Sequence, residues 1–429
     1  MKNPFKVLIV TYYWPPAGGP GVQRWLKFVK YLRDFDVEPV VFVPENPHYP
    51  LIDDSFESEI PKGIEVIKYP IKEPYRFAKL LSKKKTQTIS SGIISDKKQS
   101  LLEKFLLWVR GNYFIPDARV GWVKPSVKFL EEYLIDNPVD VIITSGPPHS
   151  LHLIGMELKK ITKTPWVADF RDPWTSIGYH KKLNLSKKSQ RKHEKLEANV
   201  LQTADHIIVT SQTTEKQFEV ITDVPITVIT NGYDTEIAEE VKLDTKFTVS
   251  HIGSLLTERN PEILWKIFYE LINENKSFAL DFQLQLAGVV SDEVVKSIKS
   301  YGLSDYLINI GYISHNQVLD VQRKSQVLLV LEIDSIETRA IIPGKIFEYL
   351  AAQRPILALG PKESDIEFII NQTGTGVFCN YNKEAEIKET LLSWYQKYKD
   401  DKLVLDPTNI NQYSRKNLTK KLAKILKAI

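Results

Sequence analysis

Only one cysteine, Cys379, stands among the 429 residues. No intrachain disulfide can form, and a reducing compartment fits. No apolar run approaches the ~18 residues of a membrane-spanning helix. KVLIV, near the start, is also too short for a signal-peptide core. Low-complexity tracts and internal repeats are missing, so a repeat array is excluded. Neither the GxGxxG fingerprint nor the Walker loop occurs, which leaves the dinucleotide and P-loop readings without support. Charge of either sign is hardly in excess: 57 Lys and Arg face 53 Asp and Glu, a net charge of +4. That balance demands no nucleic acid. The expectation is a cytoplasmic chain, soluble or peripheral on the inner face of the cytoplasmic membrane.

What is present is ordinary globular composition, 43% hydrophobic and 26% charged, at a length that suggests two or three domains. Ile341 to Pro361, IIPGKIFEYLAAQRPILALGP, reads as loop, helix, turn and strand. Pro343 suits the first turn of a helix. Gly344 and Lys345 follow where free backbone donors point outward. Ile346, Phe347, Leu350 and Ala351 recur at helical spacing, Arg354-Pro355 stops the helix, and Ile356 to Leu359 is a short strand. A helix start beside a lysine attracts an anion, and Glu348 one turn further in can accept hydrogen bonds from sugar hydroxyls. Phosphate and ribose side by side mean a nucleotide.

Lys6 to Thr11 is apolar throughout, as in a parallel strand covered on both faces. It enters a loop with Gly18, Gly19 and Gly21, then a helix. Strand, glycine loop and helix can bring amides to a phosphate. Further strands are expected at Val37–Val43, Ile64–Tyr69, Val139–Ser145, Pro165–Phe170, Ala204–Thr210 and Thr227–Thr230. Ligands in open α/β sheets bind beyond the carboxyl ends of strands. His149 follows one such end, and Asp169, Arg171 and Asp172 lie at another. Two segments are basic. One holds Lys79, Lys83, Lys84, Lys85, Lys97, Lys98, Lys104 and Arg110 around an apolar side with Phe105 and Trp108, and the other spans 181–199. Such a helix can rest on an anionic membrane or simply pack on its own domain. After a polar stretch at 235–246 a second alternation begins, with strands at Phe247–Ile252, Phe282–Ala287, Leu307–Ile310 and Val327–Leu331.

These stretches resemble the retaining glycosyltransferases of family 4 over most of the chain apart from about residues 72–110. IPGKIFEYLAAQRPILALGP is similar to the donor-binding segment of that family, HIGSLLTERNPE to its diphosphate-holding strand, loop and helix, and PPAGGPG to its first-domain glycine loop. NGYD and LQTADHIIVTS resemble its turn before the linker and the preceding strand. The resemblance implies the GT-B fold, two Rossmann-like parallel α/β domains facing each other across a cleft. It gives residues 1–238 as an acceptor-binding domain with a basic insertion at about 72–115, residues 246–405 as the nucleotide-sugar domain, and 406–429 as a helix crossing back.

Carried over, the resemblance places Glu348 on the ribose of a nucleotide sugar. Gly253, Ser254, Gly344 and Lys345 fall near the phosphates, with Arg259 where the family usually has a lysine. Gly18 and Gly19 approach the same phosphates, and Tyr312 and Ile313 line the base pocket. Asp172 is implied as the group that orients or deprotonates the acceptor, with Arg171 where many members have histidine and His149 as its replacement. Ser254 stands where the family has arginine. Ala340 stands where a second glutamate is common, and Glu337 lies nearby out of register. No Asp-x-Asp ends a strand, which argues against the metal-dependent GT-A class.

The implied reaction moves a sugar from a nucleotide sugar to a surface-glycan or lipid-linked acceptor, with retention and with neither metal nor cofactor. The partners implied are the nucleotide sugar, the saccharide acceptor and an anionic membrane surface. Two alternatives use the same pocket: a GT-B sugar-nucleotide epimerase, and a decayed nucleotide-sugar-binding protein.

Overall fold

The computed structural model describes residues 4–73, 101–181, 183–234 and 241–429. Of the basic segment, residues 74–100 with Lys79, Lys83, Lys84, Lys85, Lys97 and Lys98 lie outside the described residues, as does 235–240 of the polar stretch. The chain divides into two compact units, Met1–Asn231 with Arg415–Ile429, and Gly232–Ser414.

The first unit holds seven strands: β1 (Phe5–Val10), β2 (Val37–Pro44), β3 (Glu65–Tyr69), β4 (Val141–Gly146), β5 (Trp166–Phe170), β6 (His206–Val209) and β7 (Ile226–Val228). They order as β3-β2-β1-β4-β5-β6-β7, all parallel. β1 shows why these strands read as unbroken apolar runs. Val7 and Ile9 enter one core cluster while Leu8 and Val10 enter another on the opposite face. Each fully buried side chain of this size contributes about 1.5–3 kcal/mol. The helices used below are α1 (Pro20–Leu32), α2 (Leu101–Tyr113), α3 (Ser150–Thr162) and α4 (Lys187–Thr203).

The second unit has six strands, β8 (Phe247–Ile252), β9 (Phe282–Ala287), β10 (Leu307–Gly311), β11 (Val327–Leu331), β12 (Ile356–Leu359) and β13 (Gly376–Cys379). Their order is β10-β9-β8-β11-β12-β13, again all parallel. β11 splits its run in the same way, with Leu328 and Val330 on one side and Val327, Leu329 and Leu331 on the other. α5 (His315–Lys324) and α6 (Lys345–Ala352) lie on the Leu328 side. In each sheet the order reverses at one place, between β1 and β4 and between β8 and β11. Ligands of such sheets collect there.

The last helix, α7 (Arg415–Leu426), belongs to the first unit. Its Leu418, Leu422 and Leu426, four residues apart, share a cluster with Trp25, Leu26 and Val29 of α1.

Three local readings need correction. α6 begins at Lys345 with Gly344 as its N-cap, so Pro343 lies outside the helix. Arg354 does not stop it; Gln353, at φ 53, ends it in the left-handed conformation, and Arg354 donates to the Ser325 carbonyl at 2.8 Å. The break between units falls within Asn231-Gly232, earlier than 238. Tyr233 is already part of the second unit, since it is buried and its N–H donates to the Tyr413 carbonyl at 3.1 Å.

Candidate functional site

In the second unit the site forms at the carboxyl ends of β8 and β11. Gly253, directly after β8, has φ +116, a conformation open to glycine and strained for other residues. Gly288, after β9, approaches it so closely that a Cβ there would stand 2.5 Å from the Gly253 carbonyl oxygen. This tight crossing sets the loop that carries Ser254 and Arg259. Ser254 is exposed. Arg259 donates through Nε and Nη2 to Glu332, at 3.0 and 3.3 Å. Glu332 follows β11, is wholly buried, and also accepts from the Ile333 N–H at 2.9 Å.

Lys345 opens α6 beside this pair. Its Nζ lies 2.6 Å from Nε2 of the buried His251 on β8, and a Cβ on Gly253 would stand 3.5 Å from the same Nζ. Burial pushes Lys345 down to about 7, Arg259 adds to that, and Glu332 opposes it. His251 is held well below the usual histidine range by burial first, then by Lys345 and Arg259. The imidazole therefore accepts and the lysine donates. One turn into α6, Glu348 accepts from Gln322 of α5 at 2.9 Å. The next residue, Tyr349, is buried and its hydroxyl accepts from the Ile252 N–H at 3.0 Å, which ties α6 to β8.

Gly253, Arg259 and Lys345 are thus brought together, with Glu348 on the same short helix. Tyr312 and Ile313 lie past β10, at the edge of the sheet. Tyr312 is exposed, and Ile313 packs partly into the core. Gly344 has helical φ and open space around it, so nothing local requires glycine there. Ala340 is half-buried and Glu337 exposed. Two contributors were not read from the sequence, His251 and Glu332. The only trace is a polar residue inside or at the end of an apolar strand, HI in FTVSHI and E in VLLVLE.

In the first unit, Gly18 departs from its expected role. Its N–H is committed to the Leu51 carbonyl at 2.9 Å, and a Cβ would stand 2.8 Å from Leu51 Cγ. The residue serves loop packing, and its amide is not free for a phosphate. Gly19, at φ 87, is the N-cap of α1. Arg171 donates to the Gly21 carbonyl at 2.9 Å and to the Pro147 carbonyl, and its guanidinium lies 5.4 Å from the centre of the Tyr13 ring. It links the first turn of α1 to the residue after β4.

His149 precedes α3 and is buried. Its ring stacks on Trp174 at 5.1 Å and 3°. Both ring nitrogens are without a partner among the described residues. Burial, and then His152 and Arg171, hold it neutral, well below the usual range. Asp169 is consumed structurally. Wholly buried, it accepts from Arg24 at 2.7 Å, Trp25 Nε1 at 3.0 Å and Ser145 at 2.7 Å.

Asp172 is half-buried. Burial raises its pKa and Arg171 opposes the rise. Such a carboxylate suits proton abstraction better than a fully solvated one. The loop after it is fixed by Glu197 of α4, which accepts from the Trp174 and Thr175 N–H groups at 3.0 and 3.1 Å. Glu197 was not singled out in the sequence. Its signal is the four-residue spacing of Ser189, His193, Glu197 and Leu201, all buried on a helix otherwise basic.

Residues 93–237 match a family model described as Glycosyltransferase Family 4. No curated protein matches the chain. Among solved structures, a glycosyltransferase from Rickettsia africae ESF-5 superposes with a TM-score of 0.63 at 13% identity, covering 99% of this chain and 98% of that one. WaaB, a lipopolysaccharide outer core galactosyltransferase in its apo form, gives 0.59 at 14% identity, covering 99% and 100%. A trehalose-6-phosphate protein from E. coli bound with UDP-2-fluoro glucose gives 0.60 at 11%, covering 99% of each. The fold is GT-B, and residues 93–237 are similar to the Glycosyltransferase Family 4 model.

Proposed function

We propose that this chain is a glycosyltransferase whose second unit binds the diphosphate of a nucleotide sugar and whose first unit binds the acceptor. The observation that carries the reading is the pair of cations, Arg259 and Lys345, gathered at the β8–β11 reversal with Glu348 one turn along α6. When the glycosidic bond to the donor breaks, negative charge gathers on the departing diphosphate. Arg259, Lys345 and the start of α6 oppose that charge, and one such fixed donor is worth about 3 kcal/mol of barrier. With two cations so placed the step needs no metal. Glu348 takes the ribose hydroxyls. Asp172 orients or deprotonates the acceptor hydroxyl, and the product keeps the donor's configuration.

The acceptor we propose is a surface-glycan or lipid-linked saccharide. The likeness to a lipopolysaccharide galactosyltransferase supports this, and so does one face of the first unit. There α2 exposes Phe105, Trp108 and Tyr113, and α4 exposes Lys187, Lys188, Arg191, Lys192 and Lys195. The two helices are joined where the Ser186 N–H donates to Asn112 at 2.8 Å. Aromatic rings beside several cations suit an anionic lipid surface. Among the described residues no helix is long and apolar enough to cross a membrane.

The test is product analysis with a panel of nucleotide sugars, each with and without saccharide acceptors, in the presence of EDTA. A transferase releases nucleoside diphosphate and an α-linked product only when the acceptor is supplied. Turnover of donor alone into a second sugar nucleotide would replace this reading with an epimerase, and strict dependence on added metal would remove the metal-free step.

A further inference from the structure

The two cations of the second unit are held by partners of opposite kind. Arg259 spends Nε and Nη2 on a buried carboxylate, Glu332, and Nη1 makes no bond among the described residues. Arginine keeps its charge under any ordinary condition, so this pair is neutral as a whole. Lys345 has no carboxylate against it. Its partner is a wholly buried imidazole, and the groups that face it are His251 from β8, Arg259 from the following loop and Glu332 from the end of β11. Protonating His251 would set a third positive charge beside two others in a buried place. The imidazole therefore stays an acceptor, and the lysine charge has nothing of opposite sign reserved for it.

We propose that Glu332 and His251 are positioning residues of the donor site, Glu332 fixing Arg259 as a permanent cation and His251 holding Lys345 so that the arriving diphosphate completes the lysine's charge and brings a proton with it. The proposal rests on the diphosphate reading above. It gives the site two unlike cations. One carries its charge before the ligand arrives, balanced by Glu332. The other is fully charged only with the ligand in place. The downward pressure of burial and Arg259 on Lys345, to about 7, agrees with this geometry. A lysine so depressed is partly neutral near pH 7.5, and a bound polyanion would protonate it.

The experiment is calorimetric titration of the full chain with inorganic pyrophosphate and with UDP at pH 7.5, in two buffers of different ionisation heat. The expected result is net uptake of a fraction of a proton per ligand, beyond any proton the ligand itself exchanges. Lys345→Arg supplies that baseline: it keeps binding within about tenfold and loses the lysine's share of the uptake. Glu332→Gln moves the pH midpoint of affinity downward, because it removes the charge that favours the lysine cation. His251→Ala weakens pyrophosphate binding, and His251→Gln, which restores an acceptor, recovers part of it. A purely structural role for Glu332 would lower thermal stability and leave the midpoint in place. Binding with no proton uptake, together with an unmoved midpoint in Glu332→Gln, overturns the inference and leaves the donor reading standing. Failure of the wild-type chain to bind either probe overturns both.

Discussion

Arg259 reaches Glu332 side-on, through Nε and Nη2, and the carboxylate it meets is wholly buried while the arginine keeps some contact with solvent. Removing the arginine strands a buried charge. Arg259→Met is therefore expected to cost about 3 kcal/mol, near the low end for a buried pair because Arg259 is partly exposed. Adding Glu332→Leu should return most of that stability and none of the affinity for nucleoside diphosphate. Urea unfolding beside ligand titration separates the two effects. Recovery of binding in the double variant would show that Arg259 is structural.

Asp169 and Asp172 lie three residues apart and should respond in opposite ways. Asp169 sits inside a closed set of donors, so Asp169→Ala is expected to destabilise the first unit by about 3–5 kcal/mol. Asp172→Asn should fold normally, bind nucleoside diphosphate as the wild type does, and lose roughly 10²–10⁴ in kcat. Transfer kinetics and thermal melts on the two variants check this. Unchanged kcat in Asp172→Asn would remove it from the mechanism.

Five histidines of the first unit are shifted toward the neutral form, with burial as the leading cause in each. His149 is held well below the usual range, His152 is pushed to about 3, His180 to about 4, and His193 and His206 are lowered. Their folded values lie below the unfolded value near ~6.5, so below that pH the unfolded chain binds protons that the folded chain does not. The stability they contribute is complete above ~6.5 and is lost as pH falls, at up to about 1.4 kcal/mol per unit for each histidine. Melts from pH 7.5 to 5.5 at constant ionic strength should show the loss. His149→Phe, which keeps a ring against Trp174, should reduce the slope by one proton's share. A midpoint that does not fall with pH would contradict the placement of these rings.

The face made by α2 and α4 should bind vesicles of anionic lipid and release them as salt rises from 0.1 to 0.5 M, since screening shortens the reach of its cations to a few ångströms (~4 Å). Phe105→Ser with Trp108→Ser should lower binding at both salt concentrations. Equal binding to neutral and anionic vesicles, or none to either, would remove the membrane from the account. Co-sedimentation decides it.

Much of the architecture could be read in the sequence because both sheets are covered on both faces. Strands β8, β9, β11 and β12 coincide to the residue with apolar runs between turns. The apolar run of β4 starts at Val139, two residues before the sheet pairing begins at Val141. Lys345, Glu348 and Arg259 were legible through resemblance to a family. Glu332 was not, because its partner lies 73 residues earlier and only the fold brings them together. Gly18 misled for a related reason. A glycine loop after a strand suggests a phosphate, and here the loop's neighbour is Leu51, which no local pattern announces. His149 lies in the turn before α3, and its burial comes from the stack on Trp174, far along the chain and invisible to any local pattern.

The measurement that tests the donor site most directly is titration of the wild-type chain and of the Arg259→Ala and Lys345→Ala variants with UDP, ADP and GDP. The account predicts one saturable site per chain for at least one of these diphosphates, and a loss of affinity of at least about tenfold in each variant, the effect of ~1.4 kcal/mol. Wild-type affinity retained in both variants would contradict it.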